Sequence, residues 1–197
     1  MLKIGLTGGL GCGKSTASAV LAEFGAYNLD ADNEAKKMIN NNSTVQSELI
    51  AEFGTDIMGP GNIIDLKKLG RIAFQDVDHQ IRLNSVVFPY IYNLIDKRFD
   101  KISAKNKYSM FIVDGALIYE SGYDQHLDYV IVITALMKNR MVRALSRKTL
   151  SRQEILQRID LQWSEQEKTG LADFVIHNDN TEENLRKEIT DIYEQII

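Results

Sequence analysis

The 197-residue sequence predicts an α/β fold in three layers, with helices on both faces of a parallel sheet. Three observations predict it. Short apolar runs recur along the chain, most closed by a turn or an acid, at Leu2–Leu6, Ala26–Asp30, Met110–Asp114, Tyr129–Ile133 and Phe174–Ile176. Stretches of helical period lie between them, so strand and helix alternate. Between the first strand and the first helix sits Gly8-Gly9-Leu10-Gly11-Cys12-Gly13-Lys14-Ser15-Thr16, which fits G-x-x-x-x-G-K-[ST] with Gly8, Gly13, Lys14 and Ser15 in register.

The first strand, Leu2-Lys3-Ile4-Gly5-Leu6, is short and mostly apolar, as a buried strand requires. In the loop that follows, glycines let successive N–H groups turn inward and form a concave anion site. A helix starting near Lys14 adds the positive end of its dipole to the same point. Lys14 is placed to reach the β- and γ-phosphates of a nucleotide, and the Ser15 hydroxyl to hold Mg²⁺. Ala17, Val20, Leu21 and Phe24 form the apolar face of that helix, and Gly25 stands where a terminating glycine belongs.

The second strand ends at Asp30-Ala31-Asp32. Ligands of open parallel sheets gather at the carboxyl ends of strands, which places this acidic pair beside the phosphate loop. A carboxylate there can accept the proton of an attacking hydroxyl, and it can equally cap the next helix. One of the two is expected to be a cap, and the residues alone leave both roles open for Asp32.

From Asn33 to Lys107 the pattern is mostly helical, broken by turns at Asn40-Asn41-Asn42-Ser43 and Gly59-Pro60-Gly61-Asn62. Ile91, Leu94, Ile95, Phe99 and Ile102 predict an amphipathic helix following Pro89. This block interrupts the strand–helix alternation, so it reads as a helical insertion, either binding an acceptor or only supporting the sheet. The third strand ends at Asp114, a residue type that serves at such a place as a water-mediated Mg²⁺ partner or as a cap. Tyr129–Ile133 is the most apolar run and reads as an internal strand. Arg140, Arg143 and Arg147 then share one helical face. Ser151 and Glu154 form a capping box that opens a helix with Ile155, Ile159 and Trp163 on its apolar side. An arginine row beside a helical turn fits a lid that covers a triphosphate and excludes water, or else a solvated basic face. After the last strand, Asn180-Thr181-Glu182-Glu183 starts a helix whose apolar face is Leu185, Ile189, Ile192 and Ile196.

Composition narrows the function. Hydrophobic residues make up 44% and charged residues 25%, as in an ordinary globule. A net charge of −4 and scattered aromatic residues argue against a nucleic-acid partner. Cys12 is the only cysteine, so no intrachain disulfide forms. No apolar stretch reaches the ~18 residues of a membrane span, and the N-terminal run is strand and loop rather than a signal peptide. A cytoplasmic protein with no membrane partner and no obligate protein partner is expected. His79, His126 and His177 lack metal-ligand spacing. No Asn-Lys-x-Asp guanine-reading motif occurs, which argues against a guanine-specific switch.

With these residues together, the chain resembles the dephospho-coenzyme A kinases over nearly its full length. The resemblance is strongest in Leu6 to Thr16 and in Asp30-Ala31-Asp32. It continues through Phe53-Gly54, Leu69 with Phe74, and Leu117-Ile118-Tyr119-Glu120. Further matches are Arg143, Arg147, Ser151, Arg158, Gln162, Lys168, Ala172-Asp173, Val175-Ile176 and Asn178. It implies a nucleoside-monophosphate-kinase-like P-loop fold with a five-stranded parallel sheet, and transfer of the ATP γ-phosphoryl to the 3′-hydroxyl of dephospho-CoA. It also implies a core of residues 1–32, 108–138 and 166–197, a helical CoA domain over 33–107 and a lid over 139–165. Asp32 then matches the general base, with Lys14 and Arg143 as the other candidate catalytic residues. Gly8, Gly9, Gly11, Cys12, Gly13, Lys14, Ser15, Thr16, Arg147 and Asn178 are the candidate nucleotide contacts, Ser15 the metal contact, and ATP and Mg²⁺ the cofactors. Three positions depart from the family pattern: Phe88 replaces a histidine before Pro89, Ala116 a proline, and Leu66 an arginine after Asp65. Lys67, Lys68 or Arg71 could supply the missing polar group. Another nucleotide-like acceptor, or a paralogue that binds CoA-like ligands without turnover, are the alternatives.

Overall fold

The computed structural model describes all 197 residues. Five strands, β1 (Leu2–Thr7), β2 (Tyr27–Asp30), β3 (Met110–Asp114), β4 (Tyr129–Thr134) and β5 (Phe174–His177), form one sheet in the order β2-β3-β1-β4-β5. Every neighbouring pair is parallel, as the alternating pattern and the resemblance implied. The helix α1 (Lys14–Glu23) follows β1. Four helices, α2 (Ala31–Asn41), α3 (Ser43–Phe53), α4 (Leu66–Ala73) and α5 (Val77–Ser103), stand between β2 and β3. The single turn α6 (Ile118–Ser121) precedes β4. Then α7 (Met137–Ser146), α8 (Arg152–Asp160) and α9 (Glu165–Leu171) lead to β5, and α10 (Glu182–Ile196) follows it.

Two cores result from the two-residue period of the strands. Ile4 and Leu6 of β1, Met110 and Ile112 of β3, and Ile131 and Ile133 of β4 pack with Val20 and Leu21 of α1 and Leu185 and Ile189 of α10. The alternate residues Phe111 and Val113 face the other way, onto Ile91 and Ile95 of α5, Val45 and Leu49 of α3, and Leu69 of α4. Phe111 is fully buried, stacked on Tyr27 at 5.2 Å and edge-on to Phe99 at 5.5 Å between ring centroids. Phe111→Ala is therefore expected to cost about 3–5 kcal/mol. The denaturant midpoint with the slope unchanged measures it, and a loss below about 1 kcal/mol contradicts this packing.

The turn-forming residues act as helix caps. Asn42 ends α2 and begins α3, its side chain accepting from the amides of Thr44 and Val45. Asp65 and Asp76 start α4 and α5 in the same way. The helix expected to follow Pro89 instead begins at Val77 and runs for 27 residues with Pro89 inside it. An internal proline forfeits one backbone hydrogen bond at about 3 kcal/mol. The apolar stripe continues upstream through Leu83 and Val87, and burial of Val87, Ile91 and Ile95 offsets that loss. Trp163 also departs from expectation. It lies beyond the end of α8, exposed, with its ring parallel to that of Tyr119. A second capping box, Ser164 with Glu167, opens α9.

Register carries this fold to its site. Leu6 of β1 lies opposite Asp114 of β3, and Asp114 lies opposite Asp30 of β2. The loop after β1 and the acids ending β2 and β3 thus meet at the carboxyl end of the sheet.

Candidate active site

The loop of residues 8–13 leaves β1 and turns directly into α1. Gly13, at φ 103°, is the N-cap of α1, and no side chain caps that end. The orphan N–H groups of the first turn, with the dipole behind them, thus form an anion site. Glycine is required here for two reasons: the backbone is left-handed, and a Cβ would collide with the Asn178 side chain. Gly11, at φ 82°, is likewise left-handed, and a Cβ there would strike the Arg140 backbone. The Cys12 thiol is buried, and burial pushes its pKa up against the opposing pull of Lys14. It is a packing group rather than a nucleophile.

Lys14 projects toward the acids. Its Nζ lies 3.3 Å from Asp114 Oδ1 and 4.0 Å from Asp32 Oδ2. Burial alone would lower its pKa, but the negative charges of Asp114 and Asp32 outweigh it and hold the ammonium above the ordinary lysine range. Asp114 moves upward too, because burial and the neighbouring Asp32 exceed the help from Lys14. One protonated lysine thus stands among several carboxylates.

The structure separates the roles of the acidic pair. Asp30 is the N-cap of α2, accepting from the Asn33 amide at 2.8 Å. Asp32 lies in the first turn of α2, half-exposed, with Oδ2 accepting from the Ala116 amide at 3.3 Å. It stands at an apolar cleft lined also by Ala35, Phe88, Tyr92, Gly115 and Leu117. Two of the departures from the family pattern, Phe88 and Ala116, thus touch Asp32 or its cleft. Leu66 lies at the start of α4, where Lys68 Nζ is bound to the Met58 carbonyl at 2.6 Å.

The arginine row does not act as one face. Arg140 is buried: its Nε donates to the Leu10 carbonyl at 3.0 Å, and Nη1 pairs with Glu165 at 2.9 Å. It braces the phosphate loop from behind, so neither the lid nor the solvated-face reading describes it. Arg143 Nη2 donates to the Asn178 carbonyl at 2.9 Å, and Nη1 to the Cys12 carbonyl at 3.4 Å. Arg147 closes α7 and is exposed. Asn178, buried after β5, donates from Nδ2 to the Cys12 carbonyl at 2.8 Å. Helix α8 rests on the end of α4, with the Arg158 guanidinium 4.7 Å from the Phe74 ring centroid and Gln157 bound to the Gln75 carbonyl.

Of the candidate residues, Gly8 to Thr16, Asp32, Arg143 and Asn178 converge, while Arg147 stands at the margin. Residue-level reasoning missed the brace of Arg140 and the buried pair of Lys168 with Glu120, 2.8 Å apart. It also missed Gln162, whose Oε1 accepts from the Leu10 amide. A charged residue in a polar stretch carries no periodic signal, so nothing in the local sequence marked the side chains of Arg140, Lys168 and Glu120 as buried. No three His, Cys, Asp or Glu side chains gather to hold a metal, and no helix is long and apolar enough to cross a membrane.

The chain is similar to known proteins over almost all of its length. The family model described as dephospho-CoA kinase (CoaE) matches residues 2–184. A protein of Thermobifida fusca named dephospho-CoA kinase is 32% identical over 197 residues, covering 100% of this chain and 96% of its own length. The crystal structure of TT1252 from Thermus thermophilus superposes with a TM-score of 0.81 at 27% identity, covering 100% of this chain and 98% of that one. A dephospho-CoA kinase structure from Campylobacter jejuni gives 0.69 at 28% identity, covering 98% and 96%. Matched along almost all of its length by both sequence and structure, this chain belongs to the dephospho-CoA kinase family.

Proposed function

We propose that the chain transfers the γ-phosphoryl group of ATP to the 3′-hydroxyl of dephospho-CoA, giving coenzyme A. The observation that carries this reading is the approach of Lys14, at the start of α1, to within 4.0 Å of Asp32, in the first turn of α2 and on the wall of the apolar cleft. Residues 8–16 wrap the phosphates with their amides, and Lys14 bridges to the β- and γ-oxygens, its proton secured by Asp114. Asp32 takes the proton from the attacking hydroxyl, leaving an oxygen nucleophile aimed at phosphorus. Arg143, already against the loop, turns from its two carbonyl partners toward the oxygens in transit. Within the lid segment 139–165, Arg140 stays as the brace on Leu10 and Arg147 joins Arg143 as the remainder closes. Asn178 borders the adenine of ATP. Residues 33–107 hold the acceptor, and 1–32, 108–138 and 166–197 form the nucleotide-binding core.

Magnesium fits this site as an ion carried in on the nucleotide. The available donors are hard oxygens, the Ser15 hydroxyl and the strand-end carboxylates, and no preassembled ligand set competes with the phosphates. It supplies neutralisation of phosphate charge, while the protein contributes position and the proton acceptor.

A coupled assay with ATP and Mg²⁺ tests the acceptor. Turnover with dephospho-CoA is expected to exceed that with AMP, CMP, shikimate or pantothenate by at least about 10²-fold in kcat/KM, because polar groups matched to one acceptor reject others. A preference for one of the other four overturns the acceptor assignment and leaves phosphoryl transfer standing.

A further inference from the structure

Lys168 is a buried cation that the proposed mechanism leaves unused. Its side chain is fully buried in α9, and its partner Glu120 is 8% exposed. Lys168 Nζ donates both to Glu120 Oε1 and to the Ala116 carbonyl, each at 2.8 Å. The Thr7 hydroxyl donates to the same carbonyl at 3.3 Å. The amide of that same residue, Ala116, donates to Asp32 Oδ2. Ala116 is thus pinned on its carbonyl side by a buried ammonium and on its amide side holds the carboxylate at the reaction centre. The neighbouring Gly115 amide is tied to the Leu6 carbonyl of β1.

A buried ion pair of this kind adds little net stability over well-packed apolar residues, because desolvating both charges consumes most of their attraction. Its worth lies in what it fixes. Glu120 Oε1 also accepts from the Trp163 amide at 3.0 Å, just past the end of α8. The pair therefore sits where the exit of the proposed lid, the loop after β3 and the end of β1 meet.

We infer that Lys168 is a positioning residue for phosphoryl transfer: by fixing the Ala116 backbone it sets the angle at which Asp32 faces the acceptor hydroxyl. The inference rests on the reading of Asp32 as proton acceptor. Lys168 touches no reacting atom, and its influence passes through one backbone residue.

A double-mutant cycle tests it. Lys168→Met is expected to lower kcat about 10- to 100-fold, as a shift of about 1 Å in an acting group does, with KM for ATP changed less than about threefold. In the Asp32→Asn background the same substitution is expected to cost less than about twofold more, because two residues acting as a unit are not additive. Lys168→Met strands the Glu120 charge, so the pair Lys168→Met with Glu120→Gln is made alongside. It leaves no buried charge, keeps the acceptor for Trp163, and is expected to show the same split in kcat. Equal losses in both Asp32 backgrounds overturn the inference and leave Asp32 as base. A rise in KM for ATP matching the fall in kcat also overturns it, placing the effect in the phosphate loop through Gln162 and Leu10. Near-normal kcat for Asp32→Asn alone removes the base assignment, and this inference falls with it.

Discussion

Lys14→Ala is expected to lower kcat by at least about 10³-fold, the scale of losing a charged donor aimed at the oxygens where charge develops. The ammonium is 3.3 Å from Asp114 and 4.0 Å from Asp32, its side chain 17% exposed. Both acids hold it protonated, so its charge is available across the neutral range without a proton being taken up first. Alanine leaves two carboxylates facing the phosphates with nothing between them. Repulsion then adds to the lost attraction, and ATP affinity measured by calorimetry is expected to fall as well. A Lys14→Ala enzyme with kcat within about tenfold of the parent would show that the helix N-terminus alone does this work.

Asp32→Asn is expected to reduce kcat by about 10²- to 10⁴-fold, the range for losing a positioned proton acceptor. KM for ATP should change less than about threefold. Asparagine is nearly isosteric and keeps an oxygen that accepts from the Ala116 amide, so the local fold has no reason to shift. What it loses is the negative charge and the capacity to take the hydroxyl proton. Lys14 still has Asp114 as its nearer partner, which is why nucleotide binding should survive. Steady-state kinetics at saturating ATP and acceptor separate the two effects. Near-normal kcat would remove Asp32 from proton transfer and leave it as a partner of Ala116.

Much of the architecture was legible in the residues themselves. Met110–Asp114 and Tyr129–Ile133 read as buried strands, and Gly8 to Gly13 as a loop that bares its amides ahead of a helix starting at Lys14. Acid caps were legible too, although the choice between Asp30 and Asp32 needed coordinates. Asp30 and Asp32 are two residues apart, and only the coordinates show that Asp30 caps α2 while Asp32 reaches across to the Ala116 amide. Pro89 misled for a general reason: a local helix breaker was overruled by an apolar stripe that continues upstream of it to Leu83. Arg140 misled differently. Helical spacing gives direction around one helix but says nothing of what the chain lays against it, here the Leu10 carbonyl. Lys168 and Glu120 left no local trace, because burial of a charge is set by partners 48 and more residues away in sequence.

The bond from Asn178 to the Cys12 carbonyl joins residues 166 positions apart. While the polypeptide is still emerging from a ribosome, its opening segment therefore lacks the prop that shapes the nucleotide cradle. A chain cut short ahead of β5 would carry the whole glycine signature without the side chain that holds the Cys12 carbonyl. The first loop thus reaches its final shape only when the last strand has docked beside β4.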